Sequence, residues 1–295
     1  MSDALARRAA PAVEALLRGH RLRLPEALPW LAAIAAFFAF PDYLSLGSQI
    51  VINILFALSL DLILGYAGIV TLGHAAFFGV GAYTAGLLAA HGWGEPLSGL
   101  VVAGAVAGLV GLLSGAIILR TRGLTLLMLT LMIAVMLQEA ANKAGKITGG
   151  ADGLQGMEVW PVLDLFRFDL YGRTAFLYCL AVLFLGWLGA RRIVHSPFGR
   201  SLTGIRENEA RMHAIGSPVF RRRLTIYAIA AALAGISGAM LAQTTQFVAL
   251  EVLSFERSGQ VLIMLILGGV GRLYGAFIGV PLYMVLQDRF QQADP

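Results

Sequence analysis

Few side chains in this sequence are equipped for chemistry, and they concentrate in a few places. Asp61 and His74 lie inside long apolar runs. A charge at membrane depth costs several kcal/mol, so Asp61 is a functional candidate, with reaching the interface or capping a neighbour as the structural alternatives. His74 follows Gly73, where it could line a path, pair with Asp61 or hydrogen-bond a carbonyl. Asp61 with His74 is the best pair available for intramembrane catalysis, and Asp61 and Glu139 are the obvious candidates for a coupling-ion site. Asn53, Gln138, Glu139, Gln243 and Gln246 are read as hydrogen-bonding residues between helices or at the interface rather than as ligands.

Residues 196–218, SPFGRSLTGIRENEARMHAIGSP, hold the second concentration. Pro197 and Pro218 bracket a helix-compatible stretch in which Arg206, Glu207, Glu209 and Arg211 are polar while Leu202, Ile205, Met212 and Ile215 form an apolar stripe. Such a helix lies on a lipid surface or docks into a partner. The acidic pair Glu207 and Glu209 argues against a purely lipid-facing role, because the inner leaflet is itself negative. A third group, Thr148-Gly149-Gly150-Ala151-Asp152-Gly153, is turn-forming and suits either contact with a binding protein or a plain surface turn.

Several chemistries are excluded. There is no G-x-x-x-x-G-K-[ST] phosphate loop, so ATP hydrolysis would require another polypeptide. There is no H-E-x-x-H, and the five histidines are scattered, so no metal site is expected. The sole cysteine, Cys179, lies in an apolar run and supports neither a disulfide framework nor a cysteine-based zinc site. Gly79-Val80-Gly81 is followed by Thr84 in place of a third glycine and is no dinucleotide fingerprint.

The elements that must position these residues are membrane spans. Of 295 residues, 58% are hydrophobic and 13% charged, and the mean hydropathy is +0.77; a soluble domain carries about 25% charged residues. Apolar stretches predict an all-α polytopic membrane protein of about eight spans, near 28–41, 48–65, 70–90, 97–119, 123–141, 173–190, 223–246 and 258–288. The last is interrupted at Gly268-Gly269-Val270-Gly271-Arg272, which suits one span or two half-helices. The net charge of +5 is carried mainly by arginines gathered in 1–27, 120–122, 191–222 and the tail after 288. Segments 42–47 and 91–96 hold no basic residue, and the lysines Lys143 and Lys146 fall in the outer loop 142–172. The positive-inside rule then places the N-terminal tail 1–27 and the loop 191–222 in the cytoplasm, with a membrane domain over 28–290 and a short tail at 291–295. This distribution points to topology rather than nucleic acid.

Glycines recur at helix-contact spacing. Gly104, Gly108, Gly111 and Gly115 share one helix face, as do Ala231, Gly235, Gly238 and Ala242, and Gly271, Gly275 and Gly279 form another ridge; all are read as packing surfaces. A weak internal echo links Gly65, Gly68 and Gly73 to Gly268, Gly271 and Gly275. Transporters built from repeats place broken helices at the substrate path, which makes Asp61, Gly65, Gly68, Gly73 and His74 the candidate path residues.

Five stretches carry a more specific resemblance. The first is Gly199-Arg200, then Ile205-Arg206-Glu207-Asn208-Glu209-Ala210, then Gly216. The others are LSLDLILGYAGIVTLGHAAFFGVGAYTAGLL (58–88), RTRGLTLLMLTL (120–131), TGGADGLQGM (148–157) and LILGGVGRLYGAFIG (265–279). Taken in chain order, over roughly residues 45–290, these stretches make the chain resemble the branched-chain amino-acid-type permease subunits of ABC importers, in particular the M-type that pairs with an H-type permease. Gly204 stands where the family usually has alanine, which predicts a slightly less stable helix. Members commonly continue with a further apolar span beyond the point where this sequence stops, at Asp294-Pro295.

The resemblance implies a bacterial inner-membrane transport subunit rather than an enzyme. It would work with a second permease, two cytoplasmic ATPase subunits that bind the ATP, and a periplasmic binding protein. Gly199, Arg200, Ile205 to Ala210 (Arg206, Glu207, Asn208 and Glu209 between them) and Gly216 would contact the ATPase. The expected cargo is a branched-chain or other hydrophobic amino acid, with urea or short amides as the alternative. An ion-coupled secondary transporter and an intramembrane enzyme are the rivals from other classes.

Overall fold

The computed structural model describes residues 28–39, 43–161 and 172–293; the expected N-terminal tail lies outside them. Among the described residues the chain is helical, with one isolated β-bridge, Leu154 to Val248. Five helices are long and apolar enough to cross a membrane: α2 (Leu44–Asp61, extended by one turn to Tyr66), α4 (Pro96–Ile118), α5 (Leu124–Lys143), α6 (Arg173–His195) and α9 (Val219–Thr245). Two shorter apolar helices accompany them, α1 (Leu28–Ala39) and α3 (His74–Ala90). The polar segment forms α7 (Pro197–Glu207) and α8 (Glu209–Ala214).

The expected eighth span is resolved into two helices. α10 (Phe255–Gly268) descends to Gly269–Tyr274, and α11 (Gly275–Ala293) folds back against it. Gly275 and Gly279 lie against Gly268 and Met264 so closely that a Cβ on either glycine would overlap the facing backbone, which establishes an antiparallel pair. α11 then climbs past Asn53, whose Nδ2 donates to Met284 Sδ at 3.5 Å. The end of α11 therefore runs away from the end of the bundle that bears α7, contrary to the expectation that the stretch after 288 shares the side of 191–222. Charge counting missed this because the glycine break reverses direction within six residues and carries a single charge, Arg272.

α2 is the central helix, buried at every position from Val51 to Asp61, packed by α6, α9, α10 and α11 and touching α3 through Phe56 on Phe78. Its C-terminal end is a single π-turn, Leu62–Tyr66, after which the chain runs non-helically to Gly73 before α3 begins. Residues 70–73, expected at the start of a span, are thus non-helical, with Thr71 and Gly73 buried and Val70 exposed.

The glycine faces act as expected in α4 and α9. Gly104, Gly108, Gly111 and Gly115 face Ile236, Ala232, Ala231 and Tyr227 in turn, so the two helices meet along their length. Gly235 faces Ala107 and Ala103 of the same α4, Gly238 abuts the Phe78 carbonyl of α3, and Gly81 of α3 abuts the Gly235 backbone. α5 is peripheral, with only Thr130 and Ala134 buried, and presents Leu124, Met128 and Met132 outward. α1 is held by Trp30, whose ring lies 5.1 Å from Phe184 and 5.4 Å from Phe277.

The packing predicts a contrast between glycines. Gly81→Ala drives a methyl into the Gly235 backbone and is expected to cost about 1–3 kcal/mol, whereas Gly189→Ala meets open space and is expected to cost nothing. The thermal midpoint of the detergent-solubilised protein, read by fluorescence-detected gel filtration, measures both; equal midpoints would contradict the close crossing.

Candidate functional site

The two glycine breaks meet one another. Gly271 N–H donates to Asp61 Oδ1 at 2.6 Å, and a Cβ at Gly65 would overlap both that carboxylate oxygen and Gly271 N. Arg206, from the end of α7, reaches the same point and donates through Nη1 to the Gly65 carbonyl. Its aliphatic stem passes Gly68, where a Cβ would lie 2.9 Å from Arg206 Cγ, and its Nη1 would lie 3.3 Å from a Cβ at Gly271. Three glycines from two breaks therefore make the room through which one arginine threads.

Local chemistry explains why the chain bends there. The π-turn leaves the carbonyls of its last residues without helical partners, and one of them, Gly65, takes the guanidinium. Gly68 (φ +69°) and Gly271 (φ +79°) adopt left-handed backbone that only glycine enters readily. Asp61 is fully buried, with Arg206 as its nearby opposite charge. Gly271 is consequently part of the break, not the first step of a helix ridge; Gly275 and Gly279 alone form the packing face on α11.

His74 stands apart from Asp61. Its Nε2 lies 2.8 Å from Ser59 Oγ and its ring stacks on Phe56 at 5.5 Å between centroids, so of the alternatives open to it the pairing with Asp61 does not form. Gly73 abuts the Thr130 backbone and admits no Cβ, which seats the start of α3 against α5. Asp61, Gly65 and Gly68 thus share one site, while Gly73 and His74 form a separate seat at the head of α3. Glu139 is exposed near the far end of α5, so Asp61 and Glu139 do not join in a coupling-ion site.

The segment after α6 is built in two pieces. Ser196 Oγ accepts from Gly199 N–H to start α7, with Pro197 in its first turn, and Asn208 Oδ1 accepts from Arg211 N–H to start α8. Leu202 and Ile205 are buried against the bundle, whereas Ile215 is 70% exposed. The expected continuous apolar stripe is thereby divided, half holding α7 in place and its end facing outward. Glu207, Asn208, Ala210 and Arg211 are exposed along with Arg200 and Gly216, and Gly199 is buried under α6 carbonyls. Glu209 corrects the picture of a free acidic pair: its carboxylate is held by Arg122 at 2.8 Å and Arg223 at 3.2 Å. A cavity of about 420 Å³ lies beside these arginines and reaches Gly68 and Val70.

At the opposite end, Thr148 to Gly153 make a fixed cap. Thr148 Oγ1 donates to Ala141 O at 2.5 Å, Gly149, Gly150 and Gly153 all have left-handed φ, and Leu154 exchanges backbone hydrogen bonds with Val248. Thr148, Gly150 and Gly153 are buried, which leaves Asp152 and Ala151 as the exposed surface of that turn.

Sequence reasoning missed Arg257, in the first turn of α10. Its Nη2 donates to Asn53 Oδ1 at 2.8 Å, and its guanidinium carbon lies 5.4 Å from the Phe78 ring centroid. The signal was the capping serine, Ser254, which marks a helix start three residues earlier than the apolar run.

Long apolar helices, breaks that meet inside the bundle and a polar helical segment at one end define a multi-pass membrane protein. Comparison with known proteins agrees. The family model described as branched-chain amino acid transport system / permease component matches residues 43–293, and the chain belongs to that family. Among curated relatives, the high-affinity branched-chain amino acid transport system permease protein LivM of Salmonella typhimurium is 30% identical over 290 residues, covering 88% of this chain and 67% of the relative. The protein of the same name from Escherichia coli K12 is 30% identical over 284 residues, covering 89% and 67%. The probable branched-chain amino acid transport permease protein LivM of Methanocaldococcus jannaschii is 26% identical, covering 78% and 76%. No solved structure gives a significant match.

The clasp predicts a graded response at Asp61. Asp61→Ala leaves the Gly271 N–H without its acceptor, at about 1–3 kcal/mol, and should speed amide exchange over 269–274 by about tenfold or more. Asp61→Asn keeps a carbonyl oxygen and should change it little. Hydrogen-exchange mass spectrometry reads both, and equal exchange in Asp61→Ala and wild type would contradict the clasp.

Proposed function

We propose that the chain is the membrane-spanning subunit of an ATP-driven importer for branched-chain or other hydrophobic amino acids, with α7 and α8 as the ATPase-coupling segment. The family and the names of its relatives support the substrate class and the transport role. The observation that carries the mechanism is the Arg206 bond to the Gly65 carbonyl, because it ties the polar segment to both glycine breaks.

The partners in this reading are a second permease, two ATPases that hold the ATP, and a periplasmic binding protein that docks near Asp152. The arginines Arg120, Arg122, Arg191, Arg192, Arg221, Arg222 and Arg223 gather around α7 and α8, which supports a cytoplasmic location for that end and for the N-terminus in a bacterial inner membrane. The exposed surface offered to an ATPase is Glu207, Ala210, Arg211 and Ile215. Glu209 acts inside the chain, bracing α8 to the α4–α5 turn and to α9.

Energy would enter through displacement of α7. Arg206 moves with α7 and pulls on the Gly65 carbonyl; Gly271 follows through Asp61. The two breaks respond together because Asp61, at the head of the first, accepts from Gly271 of the second while Arg206 holds the Gly65 carbonyl beside it, so access across the membrane changes at Gly65–Gly73 and Gly268–Gly275. A hydrogen bond to a charged group is worth roughly 1.5–3 kcal/mol, enough to bias a two-state element but too little to lock it. An ion-coupled transporter is disfavoured because Glu139 lies at the other end of the bundle from Asp61, whose Oδ1 accepts from the Gly271 N–H.

Co-expression with a neighbouring permease and ATPases tests this reading. A tag on this chain should retain the ATPase, and Glu207→Arg with Ile215→Asp should abolish retention. Arg206→Ala should retain it and still hydrolyse ATP, while uptake per ATP falls about tenfold or more. Normal uptake by Arg206→Ala would overturn the coupling route, and gradient-driven uptake without any ATPase would overturn the class.

A further inference from the structure

The geometry points to Arg257 and Asn53 as a carboxylate-recognition site at mid-depth, and we propose that it takes the carboxylate of the transported amino acid. The inference rests on the importer reading and adds a substrate-contacting residue to it.

Arg257 occupies an unusual electrostatic position. Ser254 Oγ accepts from its backbone N–H at 3.1 Å and fixes the first turn of α10, from which the side chain projects into the bundle. Nη2 donates to Asn53 Oδ1 at 2.8 Å and Nη1 lies 3.4 Å from Gln260 Oε1. Asn53 is in turn oriented by its Nδ2, which donates to the Gln49 carbonyl at 2.8 Å. Phe78 and Tyr283 complete the surroundings. Asn53 lies close to the middle of the 23-residue helical stretch Leu44–Tyr66, which sets the guanidinium near the centre of the membrane.

Every one of these neighbours is neutral. Arg122 and Arg223 share Glu209, and Arg206 has the buried Asp61 nearby; among the described residues Arg257 has no carboxylate in ion-pair contact. A cation at that depth is costly and normally meets a counter-charge or marks a substrate path. Guanidinium carries five N–H donors in a rigid fork, of which Asn53 and Gln260 engage two, so donors remain for a bidentate carboxylate. The positive end of α10 adds to the same preference. A single neutral amide such as Asn53 can hold the fork in place without competing for its charge.

The position also fits a path. Arg257 lies among α2, α3, α10 and α11, the four helices joined by the two breaks, on the outer side of the Asp61–Gly271 contact. Cargo arriving from the end bearing Asp152 meets the arginine before the clasp. Urea and short neutral amides lack the group this site recognises, so the site favours amino acids over the alternative cargo.

The test uses the whole complex, with both permeases, the ATPases and the binding protein. In nanodiscs, leucine should protect Arg257 of the wild-type chain from phenylglyoxal, read by peptide mass spectrometry, whereas leucinamide and urea should not. In proteoliposomes, Arg257→Gln should lower leucine uptake by about tenfold or more, and Arg257→Lys should retain about a third of it, while binding-protein-stimulated ATP hydrolysis stays within about twofold in both. An Arg257 that reacts equally, or not at all, with and without leucine overturns the site. So does uptake by Arg257→Gln within about twofold of wild type, or a parallel loss of uptake and hydrolysis, which would make the arginine structural. A wild-type complex that imports nothing would instead sink the importer reading, and the protection experiment would still decide the site.

Discussion

A helix that breaks leaves backbone groups without partners, and the chain breaks its helices twice at the end of the bundle that bears α7. The bond from Arg206 to the Gly65 carbonyl and the bond from the Gly271 N–H to Asp61 are what make those breaks tolerable. Each supplies a missing partner to one break from an element far away in sequence. Remove either and a buried backbone group is left bare, or the two breaks lose their contact. Glycine is required at the crossing because a Cβ at Gly65 would occupy the place of Gly271 N and Asp61 Oδ1.

Around that crossing the bundle divides by mechanical character. α3, α4 and α9 meet through glycine and alanine faces so tight that Gly81, Gly235 and Gly238 admit no added carbon, and interiors packed in this way transmit displacement rather than absorb it. α10 and α11 join through Gly269–Tyr274, where Gly269 and Gly271 have positive φ while Leu273 is buried and Tyr274 packs on Trp187 and Phe277. Displacement of α7 would reach this stretch at Gly271, in its glycine half. Tyr178 and Gln243 hold the other end closed on itself, with Tyr178 donating to Gln243 Oε1 at 2.6 Å and Gln243 to the Pro96 carbonyl at 2.9 Å.

Much of this was legible in the sequence, for identifiable reasons. Apolar length locates the spans, and four-residue glycine spacing locates the α4–α9 face, because both are local properties of one helix. The echo between Gly65–Gly73 and Gly268–Gly275 marks both breaks. What fails is whatever depends on partners distant in the chain. Glu209 looks like a free docking acid until Arg122 and Arg223 are brought beside it. Gly271, Gly275 and Gly279 keep helical spacing straight across a break that only a backbone angle reveals. Asp61 and His74 are thirteen positions apart (74 − 61) and both polar, yet the unwound stretch between them turns each toward a different helix. Arg257 escapes notice because it sits at the edge of an apolar window, where a charge reads as the start of a loop.

The central proposal is that α7, read as the coupling segment, and the glycine breaks move as one body. Cys179 is the one cysteine and is buried, so spin labels can be placed at Glu207 and Val270 with little background. The distance between them should be measured by electron–electron double resonance in the full complex, with the ATPases empty and then trapped with nucleotide. A second pair, Val270 with Trp93 at the outer end of α3, reports whether the break moves at all. The account predicts an unchanged Glu207–Val270 distance alongside a shift in the Val270–Trp93 distance. A Glu207–Val270 distance that changes while Val270–Trp93 stays fixed would contradict it, because α7 would then be moving without the breaks.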